Sequence, residues 1–427
     1  MTNAIGMTDF FVLEAGEYLE RLDALAQAPP GAFDGAEEFV RIARAFRGSA
    51  LMASQQPMAR AAQGLESVGR AVRDGRLAWD ERVRGGLVRA VDDCKVLLRR
   101  VRTPSDQDAV KAEALGAELE KMAGRPSAPV IIILNWNSYE VTLECLLSLR
   151  KMDYRNFEVV VVDNGSVDSS AEKLAESVPE IRLIRNSENL GFAGGCNVGM
   201  RDALARGVDY VLLLNNDTVV AADFLSQLVC VAESDAKIGV LNPKMYFFDR
   251  PDRLNYAGGV HKLFRLFPKV IGLRERDDGQ YDQIREVSFL SGCALLMKAE
   301  VVRRIGVLEE VYFHFYEDIE WSLRAIQAGF KGVYVPKAVL WHKEHYVTDK
   351  NHGNGFIEFY LARNNIIFAR KHVPLRLWPC KMPFFGAWMI YRTLTFTFRL
   401  DWRKVASLYR GFWSGCVTRL PEEDTSL

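Results

Sequence analysis

The sequence predicts an α/β protein, in which a Rossmann-like domain with a mostly parallel sheet follows an all-α helical bundle and precedes amphipathic helices. In residues 130–214, apolar β-branched runs alternate with helical stretches at the spacing of βαβ units. In residues 1–122, Ala, Leu, Glu and Arg dominate and apolar positions recur at helical spacing. A chain of 427 residues has room for two or three domains.

The predicted elements divide the chain into four parts. A helical bundle is expected at 1–122, a Gly/Pro-containing linker at 123–129, the α/β domain at 130–372 and a C-terminal segment at 373–427. Within the α/β domain, strands are expected at 130–134, 157–162, 181–185 and 210–214, with helices between them. Ligands of such sheets bind at the carboxyl ends of strands, so the residues that follow each strand are the first candidates for a site.

The C-terminal segment mixes aromatic residues with Arg and Lys. Its longest apolar stretch, 382–398, contains Arg392 and is shorter than a spanning helix requires. Two interpretations remain open. The segment forms amphipathic helices in the membrane interface, or it forms a helical pair that packs on the α/β domain.

Composition excludes some classes of function. Lys+Arg and Asp+Glu are both 55, so the net charge is zero and nothing indicates a nucleic-acid partner. The seven cysteines are scattered without a CxxC pair, which is typical of reduced thiols. The N-terminal residues lack a basic region followed by an apolar run. We therefore expect a cytoplasmic protein, peripheral at the inner face of the cytoplasmic membrane.

Polar clusters follow four of the predicted strands. The first three read Asn135-Trp136-Asn137-Ser138, "DNGSVD" from Asp163, and the glycine-rich "NLGFAGG" from Asn189. A carboxylate after a strand can accept a hydrogen bond from a ribose or base, and glycines let the backbone approach a phosphate at a helix N-terminus. Taken alone, the Asp163 cluster favours a simple turn in which Asp168 caps the next helix.

The fourth cluster carries the strongest chemical signal. The strand that ends at Leu214 runs directly into Asn215-Asn216-Asp217. Hard oxygen ligands at the active edge of a sheet suit Mg²⁺ or Mn²⁺ bridging a diphosphate. The alternative is that Asp217 only caps the helix that follows.

Two later segments also end in candidate residues. Phe315-Tyr316-Glu317-Asp318 begins a helix, and carboxylates packed among aromatic residues suit a general base. The helix dipole alone also accounts for acidic residues at this end of a helix. The apolar run 339–341 ends at His342, a further candidate metal ligand.

From about residue 130 to 370, the chain resembles family-two glycosyltransferases of the GT-A fold, in particular the rhamnosyl- and galactofuranosyl-transferase branch. The resemblance rests on seven segments in order: "VIIILNWNS", "VVVVDNGSVDSS", "NLGFAGGCNVG", "LLLNNDT", "FLSGCALLMKAEVVRRIG", "FYEDIEWSLRA" and "VLWHKEH". The resemblance implies an inverting transfer of a sugar, rhamnose-like or another hexose, from a nucleotide diphosphate donor. The acceptor hydroxyl would belong to a glycan or a lipid-linked glycan of the cell surface.

The resemblance also implies roles for individual residues. Asp318 matches the catalytic base, Asp217 the metal-binding aspartate of the DXD motif, and His342 an additional metal ligand. Asp163 would contact the nucleotide base. The other expected nucleotide-side residues are Asn137, Asn189, Gly191, Gly194, Asn215 and Asn216, and the expected acceptor-side residues are Ser291, Gly292, Glu317 and Trp321.

The motif departs from the family pattern in offering one carboxylate, because the DXD position reads Asn215-Asn216-Asp217. A regulatory or scaffold protein with a catalytically weak, nucleotide-binding domain is therefore kept as an alternative. A nucleotidyltransferase is disfavoured, because the first strand leads into "NWNS" and not into a glycine-rich basic loop.

The N-terminal segment resembles a histidine phosphotransfer domain, through "FFVLEAGEYLERLDAL", "FVRIARAFRGSALMAS" and "AAQGLESVGRAV". Arg44 stands where the phosphorylated histidine is expected, and the first histidine of the chain is His261. Phosphotransfer through this segment is therefore chemically excluded. The resemblance implies a domain that docks a response-regulator-like partner or supports self-association; an unrelated helical extension is the alternative.

Overall fold

The computed structural model describes residues 7–31, 33–102, 104–123, 128–343 and 355–420. Most of the predicted linker lies outside these ranges. The described chain divides into two compact units. One contains the N-terminal helices together with Val229–Ile238, and the other contains the α/β domain and the C-terminal helices. The predicted class, an α/β domain flanked by helical regions, is confirmed.

The first unit contains five helices: α1 (Met7–Ala26), α2 (Ala36–Met52), α3 (Gln56–Arg73), α4 (Glu81–Arg100) and α5 (Asp106–Ala123). Their apolar faces share one core that includes Phe11, Phe39, Phe46 and Leu65. Asp80 caps α4 by accepting a hydrogen bond from the Val83 amide at 2.8 Å.

A buried ionic cluster lies on one side of this core. Arg44, at the position where the phosphotransfer resemblance expects histidine, is 3.2 Å from Glu66 and 3.0 Å from Glu233. Arg47 and Arg70 also pair with these two glutamates. Burial alone would raise the pKa of Glu66, but the three arginines outweigh it and hold that pKa below its ordinary value. The cluster therefore consists of mutually paired charges.

The second unit is built on one sheet. Its strands lie side by side in the order Arg285–Val287, Lys331–His342, Ile238–Phe247, Ala294–Lys298, Tyr210–Asn215, Val130–Asn135, Glu158–Asp163 and Arg182–Arg185. Its parallel half consists of β1 (Val130–Asn135), β2 (Glu158–Asp163), β3 (Arg182–Arg185) and β4 (Tyr210–Asn215). The helices that connect these strands are α6 (Tyr139–Leu149), α7 (Ser170–Ser177) and α8 (Gly191–Ala205). The β1 residues Val130–Ile133 are fully buried, as a strand covered on both faces requires.

The other half of the sheet is antiparallel, which the sequence patterns did not reveal. β11 (Ala294–Lys298) pairs with β4 and with β6 (Ile238–Phe247), and β10 (Arg285–Val287) pairs with β12 (Lys331–His342). β5 (Thr218–Val220) also pairs with β12, and β7 (Leu254–Tyr256) pairs with β6. A separate two-stranded ribbon joins β8 (Gly259–Val260) to β9 (Lys269–Val270).

Helices complete the described chain. They are α9 (Phe224–Ser234), α10 (Ala299–Ile305), α11 (Glu317–Gln327), α12 (Phe356–His372), α13 (Trp378–Phe398) and α14 (Trp402–Val417). α12 and α14 pack closely, and α13 joins them in a small apolar core that includes Ile366, Phe385 and Leu408. In the described part of the chain, no helix is long and apolar enough to cross a membrane.

Candidate active site

A cleft opens at the carboxyl ends of the parallel strands, where the sequence predicted a site. Leu134 of β1 lies opposite Asn215 of β4 in the sheet, so the residues that leave these strands meet at one edge. Among the described residues, eleven line the cleft: Leu134, Trp136, Asn164, Asn189, Gly191, Phe192, Asn215, Asn216, Asp217, Phe313 and His314.

A chain of buried hydrogen bonds fixes the end of β4. The Asn216 amide donates to Thr142 Oγ1, and the Thr142 hydroxyl donates to Asn135 Oδ1, both at 2.8 Å. The Thr218 hydroxyl donates to the Asn215 carbonyl at 2.7 Å and closes the turn into β5. The two asparagines therefore shape the turn that presents Asp217 to the cleft.

Asp217 directly precedes β5, and His342 ends β12, the strand that pairs with β5. His342 lies opposite Thr218 in the register of β12 and β5, which brings its Nε2 to 3.2 Å from Asp217 Oδ1. The Lys343 amide also donates to the Asp217 carbonyl at 2.9 Å. Burial by itself would lower the pKa of His342, but contacts with Cys293 and Asp217 outweigh burial and raise it well above its ordinary value.

This pair fits one divalent cation. Two ligand atoms about 2.1 Å from an octahedral metal ion and at right angles to each other are about 3 Å apart, close to the observed separation. No group of three or more His, Cys, Asp or Glu that could hold a metal occurs in the described ranges. Asp217 and His342 are the described residues that would hold such an ion, which would supply positive charge beside a bound diphosphate.

Asp163 and Asn137 lie behind the wall of the cleft and not among its lining residues. Asp163 Oδ1 accepts hydrogen bonds from Asn135 at 2.8 Å and from Ser166 at 2.6 Å. Asn137 Oδ1 accepts from the Val167 amide at 2.9 Å. These hydrogen bonds fix the turn after β2, and the expected contacts of Asp163 with the base and of Asn137 with the nucleotide stay predictions.

Asn164, which the sequence analysis did not single out, takes a place in the cleft beside Asn189. The Asn164 amide donates to Asn189 Oδ1 at 2.9 Å and to the Gly191 carbonyl at 3.0 Å. Asn164 Oδ1 in turn accepts from the Leu190 amide at 3.1 Å. Asn164 therefore holds the loop Asn189–Gly191 against the cleft, while its neighbour Asp163 braces the turn.

The expected phosphate cradle at the start of α8 is already occupied by the protein's own backbone. The amides of Phe192 and Ala193 donate to the Phe313 carbonyl at 2.7 and 3.3 Å. Gly191 has φ +75°, and a Cβ there would lie 2.5 Å from the same carbonyl. Gly191 thus permits the close approach of Phe313, and Gly194 is not among the lining residues. The glycines shape this wall of the cleft, and the two amides are not available to a phosphate.

The segment that leads into the candidate base is strained. Phe313, Phe315 and Tyr316 have φ values of 64°, 66° and 77°, which side-chain-bearing residues rarely adopt. Backbone of this kind persists only where surrounding contacts enforce it, and it clusters at active sites.

Asn364 of α12 supplies the contacts that enforce this backbone. Its buried side-chain amide nitrogen lies 2.8, 2.9 and 2.8 Å from the carbonyl oxygens of Tyr312, His314 and Phe315. The neighbouring Asn365 amide contacts the Tyr316 hydroxyl at 2.5 Å. Neither residue was predicted from the sequence, because adjacent asparagines within a helix have no local signature of a remote contact.

Asp318 is the second residue of α11 (Glu317–Gln327) and lies next to Gly292. Its Oδ2 accepts from the Gly292 amide at 3.0 Å, and its Oδ1 accepts from the Ile319 amide at 2.8 Å. A Cβ at Gly292 would lie 3.4 Å from both Asp318 and the cleft-lining Phe192. Burial raises the pKa of Asp318, although the backbone hydrogen bonds oppose this effect. A carboxyl with a raised pKa next to a cleft suits a general base.

The expected acceptor-side residues do not all lie near Asp318. Gly292 contacts it, and Ser291 accepts at its Oγ from the Cys293 amide at 3.3 Å. Glu317 is buried, and burial together with the charge of Asp318 raises its pKa well above the ordinary value. Trp321 is 0% exposed and donates to the Gly306 carbonyl at 2.9 Å, so it belongs to the core and cannot line an acceptor pocket.

Comparison with known proteins identifies the family. Residues 130–306 match the family model described as Glycosyl transferase family 2. The chain is 28% identical over 260 residues to the dTDP-rhamnosyl transferase RfbF of Shigella flexneri, which covers 58% of this chain and 81% of that protein. It is also 28% identical over 220 residues to the N-acetylglucosaminyl-diphospho-decaprenol L-rhamnosyltransferase of Mycobacterium tuberculosis, covering 47% and 71% of the two chains.

The matched segment contains β1 to β4, Asp163 and Asp217, and it ends before Asp318 and His342. The family match and the α/β architecture with its strand-end cleft lead to the same conclusion. Over residues 130–306, the α/β unit of this chain matches glycosyl transferase family 2.

Proposed function

We propose that the chain is a metal-dependent inverting glycosyltransferase that moves a sugar from a nucleoside diphosphate to an acceptor hydroxyl. The observation that carries this proposal is the 3.2 Å approach of His342 to Asp217, the residue that lines the cleft after the end of β4. A bound Mg²⁺ or Mn²⁺ would neutralise charge on the leaving diphosphate. Asp217 and His342 would hold it there.

The chain's own carboxylate would perform the proton transfer. Asp318 removes the proton of the acceptor hydroxyl as that oxygen forms a bond to the anomeric carbon. The bond from the anomeric carbon to the diphosphate breaks, and its electron pair leaves with the nucleoside diphosphate. One in-line displacement of this kind inverts the anomeric centre without a covalent enzyme intermediate. Gly292 and Ile319 orient the Asp318 carboxylate for this role through their amides.

The relatives suggest the substrate class. One is named for transfer of rhamnose from dTDP, and the other for an acceptor on diphospho-decaprenol. We therefore extend the proposal to a dTDP-linked deoxyhexose or a related hexose donor, and to a glycan or lipid-linked acceptor in cell-surface polysaccharide synthesis. The cytoplasmic face of a membrane is where such a donor and such an acceptor would meet.

The test is release of nucleoside diphosphate across a panel of nucleotide sugars. We expect one donor to be turned over, and Asp318→Asn to lower its turnover by about 100-fold or more while nucleotide binding is retained. Asp249→Asn, which alters a largely exposed carboxylate, is the matched control and should keep full turnover. Full turnover by Asp318→Asn would remove Asp318 from the mechanism. Nucleotide binding by the wild-type chain without turnover of any donor would instead favour the regulatory or scaffold alternative.

The role of the helical unit is a separate proposal. The resemblance to phosphotransfer domains supports docking of a response-regulator-like partner or self-association, without phosphotransfer. Sedimentation of the full chain with and without an isolated receiver domain tests both forms of this proposal. A chain that stays monomeric and does not bind the receiver domain would contradict both forms of the proposal.

A further inference from the structure

The last two helices of the second unit present apolar side chains to solvent as well as to the core. From Pro383 to the end of α13, the exposed residues recur at helical spacing and lie within about 120° of one another around the axis. They are Pro383, Phe384, Ala387, Ile390, Tyr391, Leu394 and Phe398. Phe385, Met389 and Phe396 point to the opposite side and are buried. α13 is therefore apolar on both faces, and none of the residues in the exposed arc is charged.

The turn after α13 and the helix that follows continue this exposed surface. Phe398 is 85% exposed, Leu400 76% and Trp402 59%, all within five residues of chain. On α14, Tyr409 and Trp413 are exposed on the side away from the buried Leu408. We call the exposed side chains Phe384, Ile390, Tyr391, Leu394, Phe398, Leu400, Trp402, Tyr409 and Trp413 the aromatic face.

Positive charge predominates around the aromatic face. The C-terminal segment 373–427 contains eight Arg and Lys residues and four acids, Asp401, Glu422, Glu423 and Asp424, so it carries a net charge of +4 in a chain whose total is zero. Arg376, Arg399, Arg403 and Arg410 are exposed. A protein surface rarely leaves so large an apolar area uncovered unless it is a contact site.

The combination of exposed aromatics and arginines identifies the occupant. We propose that the aromatic face docks onto the surface of a bilayer that contains anionic phospholipid, with the aromatic rings in the interface and the arginines on the lipid headgroups. Apolar insertion and a basic rim together supply the two signals that stable peripheral binding requires. The proposed contact is one of helices lying on the bilayer surface.

A second copy of the chain is the competing occupant, and its charge argues against it. Two copies meeting through this face would bring two segments of net charge +4 together, whereas an anionic bilayer supplies the opposite sign. The proposal does not rest on the transfer reaction, since lipid binding is measured without donor or acceptor.

Vesicle flotation of the full chain tests the proposal. We expect the protein to float with vesicles of phosphatidylcholine mixed with phosphatidylglycerol, and to bind vesicles of phosphatidylcholine alone at least about tenfold more weakly. High salt should reduce the binding. Flotation in neither preparation at low salt would overturn the proposal.

Two variants and a control sharpen this test. Phe398→Asn/Trp402→Asn removes two exposed aromatic rings, and Arg399→Glu/Arg403→Glu reverses two exposed charges; each should lower vesicle binding by at least about fivefold. Ile284→Asn, which replaces an exposed isoleucine outside the aromatic face, should bind as the wild type does. All three variants should keep their thermal unfolding midpoints, because the altered side chains are solvent-exposed.

Sedimentation velocity of the same proteins distinguishes the competing occupant. A lipid-binding face predicts that the Phe398→Asn/Trp402→Asn change leaves the sedimentation coefficient unchanged in the absence of lipid. A wild-type dimer that this double substitution converts to a monomer would overturn the proposal in favour of a second copy. Equal vesicle binding by the wild type and both variants would overturn it as well.

Discussion

The side chain of His342 meets that of Asp217 because β12 pairs antiparallel with the short strand β5, which directly follows the end of β4. Asp217 lies in the turn between β4 and β5, and His342 is the last residue of β12. If the pair holds a cation, His342→Gln should raise the Mg²⁺ or Mn²⁺ concentration for half-maximal turnover by about tenfold or more. Saturating metal should recover most of the rate.

His372→Gln is the control for this prediction, because it removes a histidine paired with Glu320 in the same unit at 3.1 Å. It should leave the metal requirement unchanged. An unaltered half-maximal metal concentration in His342→Gln would mean that the Asp217–His342 contact only braces the sheet.

Asn364→Ala tests whether α12 positions the strained segment. The substitution leaves the carbonyls of Tyr312, His314 and Phe315 without their shared donor, which should cost about 1–3 kcal/mol of folding free energy. It should also lower kcat more than it raises KM, because the segment leads into Asp318. Urea unfolding and steady-state kinetics measure the two effects. Loss of stability with kcat intact would assign Asn364 a purely structural role.

The pH dependence of turnover should reveal the environment of Asp318. A general base acts when deprotonated, so the rate should rise with pH through the pKa of this carboxyl. Burial raises that pKa above the ordinary 3.8, and the buried Glu317 beside it has a raised pKa too. The acidic limb of kcat against pH should therefore lie above the ordinary range of aspartate, and it should report the pair. An acidic limb at or below pH 3.8 would contradict the account.

The ionic cluster of the helical unit makes stability depend on pH. The folded-state pKa of Glu66 lies below its ordinary value of 4.5, so its stabilising contribution is fully present above that value and is lost as the pH falls below it. Glu66→Gln removes one of the two buried negative partners of the three arginines and should destabilise the unit by about 3–5 kcal/mol at neutral pH. Thermal unfolding of both proteins between pH 3 and pH 7 measures this. Identical midpoints at pH 7 would refute the prediction.

The sequence predicted where the site lies better than what each residue does there. Buried β-branched runs that end in polar residues located the strand edge, and Asn189, Gly191, Asn215, Asn216 and Asp217 all line the cleft. The sequence did not reveal that Asp163 also braces its own turn, because a carboxylate after a strand has the same signature in both roles. The hydrogen bonds from Asn135 and Ser166 that show this role depend on the register of β1 and β2.

Contacts between segments that are distant in sequence account for the features of the site that the sequence did not predict. The Phe313 carbonyl occupies the amides at the start of α8 from more than a hundred residues away in sequence, so the glycine-rich motif alone could not exclude a phosphate site. Trp321 was expected on the acceptor side, but it lies on the face of α11 that packs into the core. The role of Asn364 was not predicted, because its partners lie about fifty residues earlier in the chain.

Metal dependence of donor turnover tests the central claim most directly. Nucleoside diphosphate release by the full chain should fall to background in EDTA and return on addition of excess Mg²⁺ or Mn²⁺. Asp217→Asn, which keeps the size of the side chain but removes its charge, should remain at least about 100-fold slower at any metal concentration. An undiminished rate in EDTA, or wild-type turnover by Asp217→Asn, would contradict the account.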